Sequence, residues 1–327
     1  MRILIKFQPK ILLFFLLIVN ACQKNQSIQK LEWQALDTNT DHLLWSAHFT
    51  NPDTGWACGG LRYTEATLLY TQNGGDTWQK QSLDFGKIIF DIQFLNAQKG
   101  FATAYDGKIL STKDGGQNWA IYQMQSGEKP WQALRSLHFV NDTLGFVVGG
   151  QGYNSGIVMR TIDGGLSWQN TWFDAELRDV FFTDARTGYI SGYGVIFKTL
   201  DAGQTWFPLE VSGDFFTALH FPTPLVGYAV GNQGTILKTT TAGHSWNKLR
   251  NGNKIGQKNL HFERLFFKNE DIGYLVGRKV VWKTTDGGAT FVSLSDLDFE
   301  NWNSIVITSD TQSFLLGQKG TIVKFEE

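Results

Sequence analysis

The sequence predicts an all-β fold, a seven-bladed β-propeller whose blades are four-stranded antiparallel sheets. Three observations predict it. A unit opening on a Gly-aromatic pair recurs from residues 55, 100, 145, 188, 227 and 273, and a seventh opens on Ser313-Phe314, at spacings of 39 to 46 residues, the period of a four-stranded blade. No amphipathic helical period of useful length appears after the first 30 residues. The last unit stops before its fourth strand, while a matching strand stands unused near the N-terminus.

In chain order, the first element is a targeting segment. Arg2, Lys6 and Lys10 precede the apolar run Ile11–Val19, which is shorter than the roughly 20 residues a membrane helix needs. Ala21-Cys22 then follows, and a small residue before a cysteine at this place resembles the bacterial lipobox. Residues 1–21 are therefore expected to be a lipoprotein signal peptide, Cys22 the lipidated anchor, 22–30 a linker and 31–327 one propeller domain. The expected location is extracytoplasmic, at the periplasmic side or cell surface of a bacterial membrane. Removing residues 1–21 takes three basic and no acidic residues from 29 Lys+Arg against 30 Asp+Glu, leaving 26 against 30. A mildly acidic body of that kind excludes a general nucleic-acid binder. Beyond Cys22 the one cysteine is Cys58, so there is no disulfide framework, and its apolar surroundings predict a buried thiol.

Within each unit, a β-prone run such as SLHF (ending at Phe139) or DVFF (at Phe182) precedes the glycine. Its apolar character on both faces predicts an inner strand packed between neighbouring blades. The Gly-aromatic run, a TILKT-like run and a strand opening on tryptophan complete the blade. Leu31–Leu36 (LEWQAL) matches the fourth strands TWQKQSL and SWNKL. Placed against Thr321–Phe325 it would complete blade seven and leave no free sheet edge. Trp33 then joins Trp78, Trp119, Trp168, Trp206, Trp246 and Phe291 as the seventh equivalent position.

Between the third and fourth strands runs the pattern S/T-x-D-x-G-x-x-W. It resembles the Asp-box, or bacterial neuraminidase repeat. Asp114, Asp163, Asp201 and Asp286 are placed to accept backbone N–H bonds across the turn, and Gly75, Gly116, Gly165, Gly203, Gly243 and Gly288 permit positive φ. Asn73 and Thr241 replace the aspartate in blades one and five, where a weaker turn is expected. Residues that recur around a ring are structural, since catalysis needs a unique constellation. With the repeats GYAVGNQGTILKTT…SW, the chain resembles the photosystem II assembly and stability factor family over essentially Leu31–Phe325. That resemblance implies an extracytoplasmic, non-catalytic propeller that binds assembly intermediates through an arginine patch on one face.

Arg135 and Arg178 occupy the same place in adjacent inner strands, and Arg264 lies one residue further along its own. Trp45, Phe90, Thr217, Glu263 and Asn303 hold that place elsewhere. Loops at this end add Arg62, Tyr63, Tyr105, Tyr153, Tyr193 and Arg278, with Trp131 and Trp172 in the loops entering inner strands. Guanidinium groups beside large aromatics are typical of interface hot spots, so Arg62, Arg135, Arg178, Arg278, Trp131 and Trp172 are the expected partner-binding residues. His48, His138 and His220 sit in alternate blades, too far apart to share a metal at about 2 Å, and are expected to bridge blades. No cofactor, metal or catalytic residue is expected, and the body is expected to be a monomer. The competing function is an Asp-box glycoside hydrolase or carbohydrate binder, for which Asp91 and Asp179 are the one obvious carboxylate pair.

Overall fold

The computed structural model describes residues 32–83, 85–124, 132–309 and 312–326. The segment expected to be a signal peptide, the expected linker with Cys22, Leu31 and Trp131 lie outside them. The described chain forms seven separate four-stranded antiparallel sheets, arranged as the repeats predict. In blade three, for example, the strands run Ala133–Phe139, Gly145–Gly150, Gly156–Thr161 and Gln169–Phe173 from the channel outward. Trp33–Leu36 pairs with Ile322–Phe325, Trp33 opposite Phe325 and Leu36 opposite Ile322, so the N-terminal strand closes the ring. One 3-10 turn at Ser295–Leu297 is the sole helical element among the described residues, and none of their helices is long and apolar enough to cross a membrane.

The Gly-aromatic pair has a packing cause. In six of the seven blades the aromatic of the second strand stacks on the Phe closing the next blade's inner strand: Trp56 on Phe94 at 3.6 Å, Phe146 on Phe182 at 4.1 Å, Tyr228 on Phe267 at 3.6 Å between centroids. That Phe in turn lies against the glycine of its own blade. A Cβ at Gly227 would sit 2.3 Å from Phe221, and one at Gly188 2.6 Å from Phe182. Blade seven has Ile307 at that place in its inner strand Trp302–Ser309, and there Ser313, paired with Ile307, stands in place of the glycine. Where the ring is missing, a Cβ is tolerated. Gly227→Ala is therefore expected to destabilise by about 1–3 kcal/mol through overpacking, and Ser313→Ala by well under 1 kcal/mol. Equal melting shifts for the two variants would refute this account.

The Asp-box turns lie at the end of the strands opposite the start of the inner strand. In blade two, Thr112 Oγ1 donates to Asp114 Oδ1 (2.8 Å) and accepts from Gly116 N–H (2.9 Å), while Asn118 N–H donates to Asp114 Oδ1 (2.9 Å). Asp163 and Asp201 make the same bonds. Donors from the side chain and backbone of Ser167 and Thr205 pull their carboxyls down to about 2. Thr77 N–H still reaches Asn73 Oδ1 at 3.0 Å and Ser245 N–H still reaches Thr241 Oγ1 at 2.9 Å, so the two deviant boxes keep the geometry with a neutral acceptor. The turns of blades two, four and five are also held by the preceding blade: Trp56 Nε1 donates to Gly115 O, Arg160 Nε to Ala202 O and Tyr189 OH to Ala242 O. Trp33 takes the register position of Trp78 without an Asp-box pattern before it in the sequence; it is 41% exposed against 4% for Trp78 and packs on Phe299.

Candidate functional site at the channel mouth

Every inner strand is bulged at the same place. Pairing with the second strand skips one residue in all seven blades: Trp45, Phe90, Arg135, Arg178, Thr217, Glu263 and Asn303. A β-bulge frees one residue from the ladder and re-aims its side chain. Here the seven side chains, with Arg264, line one cavity at the mouth of the central channel, leaving only about 20 Å³ of open space between them, room for about one water. The shared place of Arg135 and Arg178 in their strands is thus a geometric position, and the ring carries one variable residue per blade.

Charge at the mouth is partly neutralised. Arg178 lies 3.6 Å from Glu176 and 3.9 Å from Glu263, and the more exposed Arg278 reaches Glu263 at 4.0 Å. Arg264 points inward to Asp179 at 3.6 Å. Burial works against its charge, but Asp179, Asp91 and Glu263 outweigh that and hold it above the usual arginine range. Burial pushes Asp179 up, and Arg264 opposes it. Arg135 differs. Its guanidinium stacks 4.3 Å from the Phe90 centroid, its Nε is buried without an acceptor, and among the described residues it has no carboxylate partner. Burial first, then the neighbouring Arg178, brings it down to about 9, so it is still a cation at neutral pH.

Aromatic side chains flank the mouth on two sides. Arg62 lies over Tyr63 and Tyr105 at 5.2 and 5.5 Å, and Tyr105 adjoins Phe90. Opposite, Tyr153, Tyr193 and Phe215 form a cluster with Arg178 5.2 Å from Phe215. Glu176 fixes this side, since its carboxylate accepts Tyr153 N–H at 3.0 Å while also facing Arg178. Tyr153 is held there at φ 69°, a conformation uncommon outside glycine.

The structure thus brings Arg135 and Arg178 together and sets Arg62 and Arg278 on the rim beside them. Trp172 is a correction: it lies within the outermost strand Gln169–Phe173, paired with Ile157, and not in a loop entering an inner strand. Glu176 was missed because, although it lies two residues before Arg178, only the packing of blade four on blade three brings Tyr153 N–H to its carboxylate. Asp91 and Asp179 are blade braces. Asp91 accepts from Ser46 Oγ (2.7 Å) and Leu137 N–H (3.0 Å), and Asp179 from Ser136 Oγ (2.8 Å) and Leu219 N–H (3.0 Å). His48 and His220 accept N–H bonds from Phe94 and Phe267 of the next blade, and His138 packs on Phe181. Cys58 is fully buried, and burial raises its thiol well above the ordinary range. Among the described residues no three His, Cys, Asp or Glu side chains are grouped to hold a metal.

Fold and mouth define an Asp-box propeller with a variable, arginine-bearing channel entrance. The comparisons with known proteins point the same way. The family model described as photosynthesis system II assembly factor YCF48 matches residues 77–207. The photosystem II assembly lipoprotein Ycf48 of Synechococcus sp. (strain CC9902) is 28% identical over 183 residues, which is 53% of this chain and about half (51%) of that relative. The photosystem II assembly protein Ycf48 of a second strain, Synechococcus sp. (strain JA-2-3B'a(2-13)), is 24% identical over 332 aligned positions, covering 96% of this chain and 95% of its own. Among solved structures, "YCF48 bound to D1 peptide" superposes with a TM-score of 0.71 at 22% identity, over 90% of this chain and 95% of that one. An ancestral GH74 enzyme superposes at 0.66 with 13% identity, over 88% and 45%; at such identities these two likenesses show the fold alone. The chain is a propeller similar to the photosystem II assembly factors.

Proposed function

We propose that this chain is a non-catalytic, membrane-anchored binding propeller with an assembly or scaffold role, and that it docks a carboxylate-bearing protein segment at the channel mouth. One observation carries this: seven bulges aim one variable side chain per blade into the mouth, and among them Arg135 is a cation with no carboxylate partner among the described residues. Planar guanidinium forks beside aromatics suit a peptide carrying acidic groups, and the named binding of a D1 peptide by a similar propeller supports that class of partner. Arg135, Arg178, Arg62 and Arg278 form the docking surface, with Trp172 as an outlying contact and Trp131 as a further candidate from the sequence. Replacing Arg135 and Arg178 by alanine is expected to weaken partner capture by about 1–2 kcal/mol, roughly 5- to 30-fold, with the fold intact. Undiminished capture by that double variant would overturn the assignment. Glycoside cleavage is disfavoured because the mouth has room for about one water and the acidic groups of Asp91 and Asp179 are occupied as braces. Release of reducing sugar from a glycan by the purified protein would reverse that judgement.

The anchor is Cys22, which places the body on the extracytoplasmic side. Relatives named as lipoproteins support it. Cys22→Ser is expected to move the protein from the membrane to the soluble fraction. Equal membrane partition of variant and parent would count against lipidation.

A further inference from the structure

Beyond the mouth, the opposite face carries an apolar patch confined to three consecutive blades. The residue after the opening threonine of the Asp-box is Gln72, Lys113, Thr240 or Thr285 in four blades, but Ile162 in blade three and Leu200 in blade four. These two are 59% and 51% exposed, and Leu166, after the glycine in blade three, is 76% exposed. In blade five the neighbouring loop places Leu225, 61% exposed, where its carbonyl accepts Ala242 N–H; Asp53 and Arg186 hold the corresponding position in blades one and four.

Hydrogen bonds tie these turns into one rigid surface. Arg160 of blade three holds the Ala202 carbonyl of blade four at 2.8 Å, and Lys198 of blade four holds the Ala242 carbonyl of blade five at 2.7 Å. Packing within the chain accounts for none of the four side chains, and a run of large aliphatic groups more than half exposed marks a contact surface. The N-terminal strand enters at this same face, because Trp33 holds the register position of Trp78, which closes an Asp-box turn. From Cys22 to Glu32 there are ten residue steps, at most about 36 Å of chain. A lipidated Cys22 therefore keeps the Asp-box face within reach of the bilayer.

We propose that the Asp-box face of blades three to five, through Ile162, Leu166, Leu200 and Leu225, rests on the lipid surface. The channel mouth then points away from the membrane. The proposal rests on the anchor at Cys22. An acyl anchor combined with a shallow apolar patch is a two-signal attachment, in which the anchor supplies affinity and the patch sets orientation. Arg186, exposed beside the turn of blade four, suits anionic headgroups.

The test uses the full lipidated chain in vesicles of phosphatidylethanolamine and phosphatidylglycerol. An environment-sensitive fluorophore is placed by Leu166→Cys, or by Tyr193→Cys on the mouth face, Cys58 being buried. The label at 166 is expected to be several-fold less accessible to aqueous iodide than that at 193, and to be quenched by nitroxide lipids. Adding Ile162→Glu and Leu200→Glu is expected to abolish both effects at 166 while leaving melting and vesicle association unchanged. Failure to associate with vesicles overturns the anchor assignment and this proposal with it. Association with equal iodide quenching at 166 and 193, or protection of 166 that requires native membrane proteins, overturns the orientation alone.

Discussion

Deleting residues 23–36 is expected to lower the melting temperature by roughly 10 °C or more and to make the protein prone to edge-to-edge association. The deletion removes Leu36, which is buried at the seam between blades seven and one with Leu44, Phe314 and Ile322. Losing a buried leucine costs about 2–5 kcal/mol, and for a domain of this size each kcal/mol shifts melting by about 2–4 °C. It also strips Ile322–Phe325 of its outer partner, leaving unpaired N–H and C=O groups at an edge. A permuted chain separates these effects from mere shortening. Because Phe325 and Trp33 occupy the register places of Thr71 and Trp78, an Asp-box turn inserted between them should join the old termini and restore the native melting temperature. Unchanged melting on deletion, or no recovery in the permuted chain, would show that the N-terminal strand does not close the ring.

Blade number and closure were legible because they follow from a local pattern repeated along the chain. Each glycine, Asp-box and aromatic reports its own turn, and the one exception, Ser313, matches the one missing Phe. The mouth was legible in half. Aligning the inner strands put Arg135, Arg178 and Glu263 at one place, yet bulging is a property of two paired strands and leaves no mark on one. Which arginine has no carboxylate partner among the described residues was beyond reach. Glu263 meets Arg178 from a blade about 85 residues later, while Arg264 is turned inward by Asp179. Only the closed ring brings these groups together. Trp172 was misplaced because the end of an outer strand and the loop that follows share a composition, whereas Cys58 and the bridging histidines were placed correctly from apolar neighbours and strand position.

Acid is expected to destabilise this propeller as pH falls from 6.5 toward 4, through its buried histidines. His138 and His220 lie along the channel wall among Phe181, Phe182, Phe221 and Phe266. Burial pulls both down to about 4, with His138 adding to the effect on His220, and burial also lowers His48. In the unfolded chain each imidazole would titrate near 6.5. Over the interval between, the unfolded chain binds more protons than the folded one, so stability is full above about pH 6.5 and falls as pH drops toward 4. The loss reaches about 3 kcal/mol for each fully titrated histidine, a large part of a typical folding free energy. Protonation also removes a contact, since Nδ1 of His220 accepts Phe267 N–H and that of His48 accepts Phe94 N–H, and an imidazolium cannot accept. The Asp-box carboxylates do not share this window. Asp163 and Asp201, held down to about 2, keep their turn bonds until far lower pH. The check is denaturant unfolding at pH 7.5, 6.0, 5.0 and 4.5. The parent should lose stability steeply across the series, and His138→Gln with His220→Gln should flatten the slope while costing some stability at pH 7.5. Identical pH slopes for parent and double variant would show that these histidines are not what acid acts on.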